Sequence, residues 1–577
     1  MRDQDRSESL HDPHFPRLAV THHCRQALTD LALIAAFCVV LFSPFILLGI
    51  PGGLPDQDHH LRIASSIHES LLRGSLLPDV VLTENNGYGS YTIRLYPTLF
   101  HSSVAAAKFA VPDWGHALCL TLLFFAIAGA FGIYLLTKCH DAGRWAAVAS
   151  SLTYLLLPYW VNHAYNGFFY GEFAAMAVLP YCFLFVRRLC DRPDLTNAVF
   201  LALAFAALVL SNTPQTVIGT IALAVYGLMH FDRDRATKQI IYTAVAALVA
   251  TSLTLGLIVR LAYEASWFKI AQQIADPSYD FRNNFGLDFW PSDYTTDSSW
   301  LATIFISMTV AVLAVALLSA RQPGPPLIKR SIAPALAAFL FALFLSSPLS
   351  AGIWELSTLL QRTQFPWRFL SVLNLSAAVI LGYSFERVSR MNGDTRRPRQ
   401  MVLVGLLMII GTFTVKQVIL AANFTAPEQF DSRMNSIGTS ATLDHWNPVW
   451  LNEDSLLTSR PEVEIDHRSS FVSEWSDGKI LIEVTDGPVA QMGLRRIYHP
   501  YWSAQIGNVR APVVKDETGL LNVEIPEGPS AVELVFMEPR PVILAEWFGL
   551  ITLFCIGLFL IFKYQPNRIR VVYAANC

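Results

Sequence analysis

Twelve apolar runs decide what this chain can fold into. A helix that crosses a bilayer needs about 20 mostly apolar residues, because lipid offers no partner to its backbone polar groups. Runs of this kind lie near 28–50, 115–137, 145–162, 171–187, 195–211, 214–231, 238–262, 299–320, 331–349, 365–386, 400–421 and 541–563. Only 15% of the 577 residues are charged and 53% are hydrophobic, whereas soluble domains carry about 25% charged residues. A single soluble enzyme and a disordered chain are both excluded. With 42 basic and 45 acidic residues the net charge is -3, which leaves no basic field for nucleic acid. The predicted fold class is mainly α, a polytopic membrane helical bundle of about 12 spans. The first run follows a long polar stretch and precedes no A-x-A-like site, so a span is predicted rather than a cleaved signal.

Lysine and arginine set the orientation, since cytoplasmic loops carry an excess of both. Arg2, Arg6, Arg17 and Arg25 precede the first run. Every second short loop is then basic: Lys138 with Arg144, Arg187 with Arg188 and Arg192, Arg233 with Arg235 and Lys238, and Arg321 with Lys329 and Arg330. Arg387, Arg390, Arg396, Arg397 and Arg399 follow, and Lys563, Arg568 and Arg570 occupy the tail. The short loops 163–170 and 211–214 have neither residue. This alternation predicts both termini in the cytoplasm and a multi-pass protein.

The resulting division is a cytoplasmic segment 1–27, a membrane domain 28–421 with an outer loop 51–114, an outer domain 422–540, a last span 541–563 and a cytoplasmic tail 564–577. A second outer segment falls near 263–298. No cysteine lies in the outer domain, so nothing there requires a disulfide. Within 460–540, "VEIDHRSSFVSEW", "KILIEVTDG", "LLNVEIPEG" and "AVELVFMEP" alternate apolar and polar residues between turn signals, which predicts a small β-sandwich. The aromatic segment "IYHPYWSAQIGN" (497–508) reads as sandwich core, with sugar stacking as the alternative.

The first outer loop holds the chemistry-bearing residues. Asp56 and Asp58 follow the first span beside His59 and His60. Leu61, Ile63, Ile67, Leu71 and Leu72 then have the spacing of a helix lying along a membrane surface. Asn85-Asn86-Gly87-Tyr88-Gly89 is rich in turn residues, and Arg94, Tyr96 and Pro97 come after it. One carboxylate of the pair can take a proton from a hydroxyl. Either can hold a divalent cation, Mg or Mn, facing a phosphate; no other cofactor is expected. The structural alternative is that Asp58 caps the amphipathic helix. Glu172 enters the fourth span, where an acid is costly and often functional; interfacial capping is the alternative. Arg368 opens the tenth span in "QFPWRFL" (364–370). Its guanidinium suits either a lipid-linked phosphate or a headgroup anchor beside Trp367.

The first-loop pattern resembles that of the GT-C integral-membrane glycosyltransferases. It is similar to the bacterial membrane proteins related to 6-pyruvoyl-tetrahydropterin synthase and to the YfhO-like group. Four further segments carry the same resemblance: "PYWVNHAYNGFFYGEFAAMAVLPYCF" (158–183), "LSNTPQTV" (210–217), "QFPWRFL" and "YHPYWSAQIGN". The resemblance implies transfer of a sugar from a polyprenyl-phosphate-linked donor to a glycan, lipid or protein acceptor, with inversion, at the outer face of a bacterial inner membrane. It places the catalytic base on Asp56 or Asp58, and favours Asp56 because His60 follows four residues later. Glu172 is a second catalytic candidate. His60, Arg94, Tyr96, Arg260 and Arg368 form the expected substrate-binding set, with Arg368 on the phosphate. His59, His101 and His163 read as surface or hydrogen-bonded residues.

Two other readings remain open at this level. Twelve spans suit a secondary transporter, although no internal repeat is visible and the long outer loop is unusual for one. A GT-C-like scaffold without activity, acting in surface polymer assembly, is the other.

Overall fold

The computed structural model of the protein describes residues 15–53, 55–140, 142–273, 276–288, 295–321, 332–435 and 446–564. Arg2, Arg6, Lys329, Arg330, Arg568, Arg570 and Cys577 lie outside the described residues. In chain order the principal helices are α1 (Phe15–Phe42), α2 (Pro55–Leu72), α3 (Leu99–Lys108), α4 (Trp114–Cys139), α5 (Arg144–Leu156), α6 (Tyr170–Asp191), α7 (Leu195–Ser211) and α8 (Thr213–Met229). They continue as α9 (Ala236–Leu253), α10 (Leu255–Glu264), α11 (Asp297–Ser319), α12 (Ala333–Leu345), α13 (Leu370–Ser389), α14 (Gly393–Phe413), α15 (Pro427–Asn435) and α16 (Arg540–Lys563).

A helix occupies each of the twelve apolar runs. Among the described residues, eight helices are long and apolar enough to cross a membrane, and α12 with the segment Pro348–Leu356 makes a ninth, bent by 81°. The chain is an integral membrane protein. The remaining three runs form shorter helices: α7 and α8 have 17 residues each and α5 has 13. Proline explains two of the departures. Pro158 pushes Leu157 into extended backbone (ψ 127°) and ends α5 there. Pro348 follows the break at which the α12 segment bends.

The first loop folds back on the protein. Helix α2 was expected to lie along the membrane surface, but Ile63 and Ile67 pack with Val81, Ile93 and Ala105, and Leu61 joins the main helical core. Its apolar face is therefore covered by protein, while Leu72 is left exposed. The N-N-G-Y-G turn explains its composition. Asn85, Asn86, Gly87 and Gly89 all have positive φ, a region that glycine and asparagine tolerate best. A Cβ at Gly89 would also come within 2.7 Å of Val80 Cγ1.

Two short strands, β1 (Ile50–Pro51) and β2 (Phe424–Thr425), pair antiparallel and bring the end of the first span to the chain leaving α14. The β unit then contains β3 (Val463–Ile465), β4 (Ser470–Trp475), β5 (Lys479–Val484), β6 (Ala490–Ile497), β7 (Trp502–Ile506), β8 (Val509–Ala511), β9 (Val513–Lys515), β10 (Leu520–Ile525) and β11 (Ser530–Phe536). These form a four-stranded sheet ordered β3-β6-β10-β9 and a five-stranded sheet ordered β4-β5-β11-β7-β8. Alternate residues such as Ile480, Ile482 and Val484 point into one shared core. Val80, Tyr88, Tyr91 and Leu95 of the first loop enter the same core. The aromatic segment is part of it: Trp502 Nε1 donates to the Tyr91 hydroxyl (2.8 Å), which donates to the Ile497 carbonyl (2.8 Å).

A buried charge cluster fixes this junction. Arg94 donates to both oxygens of Glu264 (2.6 and 2.8 Å) and to Glu538 (3.0 Å), and lies 3.4 Å from Asp79. Only 2% of its side chain is exposed. Its guanidinium also lies over the rings of Tyr501 and Phe536. Arg260 pairs with Glu538 (3.0 Å) and with Glu546 (2.5 Å). Removing one member of a buried pair leaves the other charge uncompensated, at a cost of about 3–5 kcal/mol. Arg94→Ala is therefore expected to lower the unfolding free energy by about that amount, read as an earlier denaturation midpoint in detergent, with a smaller loss for Arg94→Lys.

Candidate functional site

The site starts from the helix start at Pro55. Pro55 opens α2, as proline favours the first helical turn, so Asp56 and Asp58 both lie within that turn. Asp58 is therefore not the cap, because the helix begins three residues before it. Residues two apart on a helix point about 200° away from each other, and the two carboxylates diverge. Asp58 pairs with Arg433 of α15 (3.0 Å), and Asp56 lies 3.5 Å from His60 Nε2. Arg433 also donates to Gln57 Oε1 (3.2 Å), while Gln57 Nε2 donates to the Pro51 carbonyl (2.6 Å) and the Tyr170 hydroxyl (2.9 Å). These contacts fix the first turn of α2 from three sides.

Asp56 keeps 28% of its side chain exposed. Burial raises its pKa, but the combined charges of His60, His59 and Arg368 outweigh burial and hold the carboxyl below the usual range. Asp58 goes the other way: burial outweighs Arg433 and pushes it up. His60 Nδ1 meets His101 Nε2 at 2.9 Å. Burial and the facing His60 hold the His101 pKa well below its usual value, so its ring is neutral. The other ring nitrogen of His60, Nε2, is the one that faces Asp56. His59 is turned away to Glu84 (2.5 Å). Burial lowers its pKa, and the Glu84 carboxylate more than reverses this.

The second half of the site lies at the ends of α6, α8 and α13. Glu172 is buried and accepts from the Tyr159 hydroxyl and from Gln215 Nε2 (2.8 Å). His163 Nε2 lies 3.4 Å from the same oxygen, and Arg368 Nε lies 3.1 Å from the other. Gln215 is held by the Ser371 hydroxyl (2.8 Å) and also donates to the Arg368 carbonyl (3.2 Å). Arg368 Nη1 donates to the Thr363 carbonyl (2.8 Å) and faces Gln364 (3.3 Å), and the guanidinium stacks over Phe365. Among the described residues its Nη2 has no partner.

Tyr96 joins the two halves. Its ring lies 5.6 Å from His60, and a Cβ on Gly171, next to Glu172, would be 3.5 Å from its hydroxyl. Burial raises the Tyr96 pKa well above its ordinary value. The charges of Asp56 and Glu172 add to that rise, and Arg368 opposes it. Asp56, His60, Tyr96, Glu172 and Arg368 therefore lie close enough to act on one another. Arg94 and Arg260 do not join them; both are engaged by carboxylates in the cluster described above. Gln215, Tyr159 and Arg433 are additions that sequence reasoning did not single out, and His101 and His163, read there as surface or hydrogen-bonded residues, are buried beside the site. Gln215 lies inside "LSNTPQTV", where Asn212 accepts from its backbone N–H as the α8 cap. That cap was the available signal for it.

A divalent cation does not fit Asp56 and Asp58 together, since the two carboxylates face different partners. Among the described residues no three His, Cys, Asp or Glu side chains gather as a metal-holding group.

No family model and no curated protein matches the chain. Several solved structures do. The arabinofuranosyltransferase AftD from Mycobacteria is similar over 67% of this chain and 27% of its own, with 15% identity and a TM-score of 0.46. The Archaeoglobus fulgidus oligosaccharyltransferase in the apo form is similar over 73% of this chain and 61% of its own (12% identity, TM-score 0.40). ArnT from Cupriavidus metallidurans, bound to undecaprenyl phosphate, is similar over 78% and 97% (11% identity, TM-score 0.28). The chain thus spans about a quarter of the AftD chain. All three are GT-C glycosyltransferases, the family that the first-loop pattern resembles. Likeness at TM-scores below 0.5 carries no assignment of donor, acceptor or site.

The opposite shifts of the two aspartates give a pH test. A lowered carboxyl adds stability above the ordinary carboxylate pKa and loses it as pH falls through the lowered value. A raised carboxyl adds stability at acid pH and loses it as pH rises through the raised value. Asp56→Asn is expected to lower the thermal midpoint at pH 7 more than at pH 4. Asp58→Asn is expected to be neutral or slightly stabilising at pH 7, measured by scanning fluorimetry in detergent.

Proposed function

We propose that the protein is a membrane glycosyltransferase that moves a sugar from a polyprenyl-phosphate-linked donor to an acceptor hydroxyl, with inversion. The observation that carries this reading is an anionic Asp56 within the electrostatic reach of Arg368, whose Nη2 has no hydrogen-bond partner among the described residues. The first-loop resemblance supports the same reading. The Lys/Arg alternation supports N-in, C-in topology, with the pocket on the extracytoplasmic side of a bacterial inner membrane.

The chemistry follows from the two halves. Asp56 accepts the proton of the acceptor hydroxyl. The hydroxyl oxygen attacks the anomeric carbon, and the new C–O bond forms as the bond to the phosphate oxygen breaks. The electron pair leaves with the phosphate, whose growing charge Arg368 stabilises. Glu172 touches neither reacting atom. Its hydrogen bonds and its contact with Arg368 Nε orient the guanidinium, so it is a positioning residue. The contacts of His60 with His101 and with Asp56 orient Asp56 in the same way.

The test uses purified protein in nanodiscs with polyprenyl-phosphate-linked sugars. Asp56→Asn is expected to bind donor as the wild type does and to lose transfer by at least a hundredfold, as is usual when a general base is removed. Arg368→Ala is expected to weaken donor binding roughly ten- to hundredfold, about the 1.5–3 kcal/mol of hydrogen bonds to a charged group. If the wild type binds no polyprenyl phosphate, the reading fails.

A further inference from the structure

A cavity of ≈ 350 Å³ lies between α7, α10 and α16, within the roughly 300–1,000 Å³ of ligand pockets. Its walls are apolar, with Ala207, Leu210, Leu257 and Leu553 among them. Leu550 and Leu553 are about half exposed on α16, one of the helices able to span a membrane. The groove therefore opens on a surface suited to lipid. Tyr96, whose ring lies 5.6 Å from that of His60, is one of the residues that line it. His60 in turn lies 3.5 Å from Asp56, so Tyr96 and His60 connect the groove to that carboxylate.

The polar lining states which head fits. Arg94, Arg260 and Glu546 border the cavity. The two arginines are matched by four carboxylates, Asp79, Glu264, Glu538 and Glu546, each within 3.4 Å of one of them. No cationic charge is left for a phosphate, and a second anion would be repelled. What the lining offers is acceptor oxygen: the Glu546 side chain is 41% exposed. Such oxygens accept from hydroxyl groups. Arg368, whose Nη2 has no hydrogen-bond partner among the described residues, lies in the other half of the site.

From this charge division we infer that the α7–α10–α16 groove holds the hydrocarbon chain of a lipid acceptor with an uncharged, hydroxyl-bearing head, such as a neutral glycolipid. The inference rests on the transferase reading and names its acceptor class. The donor's phosphate goes to Arg368, and the acceptor's hydroxyl reaches Asp56 past Tyr96.

Photo-crosslinking tests it on the full chain in nanodiscs. Two diazirine-bearing probes are compared, a monohexosyl diacylglycerol and a polyprenyl phosphate, each with and without excess unlabelled lipid. Displaceable glycolipid labelling is expected within 195–211, 255–264 and 540–563, at least tenfold above that from polyprenyl phosphate. Polyprenyl phosphate is expected to label the segment around Arg368. Leu210→Trp, which fills the groove, is expected to reduce glycolipid labelling at least tenfold and leave phosphate labelling unchanged. The wild-type comparison decides the matter even if that variant misfolds. Equal or stronger labelling of the groove by polyprenyl phosphate overturns the acceptor assignment and leaves the transferase reading standing. Absence of displaceable labelling by either probe in the groove also overturns it. Glycolipid in the groove with no polyprenyl phosphate near Arg368 supports the groove as a neutral-lipid site and sinks the transferase reading.

Discussion

Arg94 is held in a bidentate grip by Glu264 and joined by Glu538, and these three residues come from three separate parts of the chain. Arg94 belongs to the first loop, Glu264 ends α10, and Glu538 precedes α16. The cluster therefore fixes the first loop and the β unit against the helices. A guanidinium this deeply buried persists only because carboxylates and two aromatic rings surround it. The aromatic core behind it, with Tyr91 and Trp502, extends the same joint into the sandwich. The position of Tyr96, two residues after Arg94, follows from that anchor. So does its place in the wall of the groove.

Three carboxylates near the pocket differ through their neighbours. Asp56 faces a histidine and keeps part of its surface open, so its ionised form is favoured. Asp58 is two residues away on the same helix, yet it is turned to Arg433 and disfavoured by burial. Glu172 is enclosed by Tyr159, His163, Gln215 and Arg368. A carboxylate enclosed in this way orients its partners and has little freedom to accept a proton from a substrate. The same residue type thus serves as candidate base, as clamp and as orienting group, according to what surrounds it.

Much of this was legible along the chain. The apolar runs located all twelve helical segments, because a span's length and composition are local properties. The alternation in "KILIEVTDG" and "AVELVFMEP" located central strands β5 and β11, since period two is also local. Helix lengths were less legible. Pro158 and Pro348 interrupt runs that read as continuous, and their effect depends on where the chain turns afterwards. The apolar face of α2 was visible, but its partner was not. Lipid and the protein surface formed by Val81, Ile93 and Ala105 present the same chemistry to Ile63 and Ile67.

The sequence by itself determined the helical membrane class, the β unit and an acidic pair at the start of a helix after the first span. It also determined the types of group available: carboxylates, histidines and an arginine beside interfacial aromatics. The tertiary structure alone decided that Asp56 faces His60 while Asp58 faces Arg433. It alone brought Gln215 and His163 to Glu172, and committed Arg94 and Arg260 to carboxylates more than 150 residues away in the chain. The physical reason is range. Periodicity, caps and turns act within a few residues and leave a pattern in sequence, whereas ion pairs and pocket walls depend on where distant segments pack.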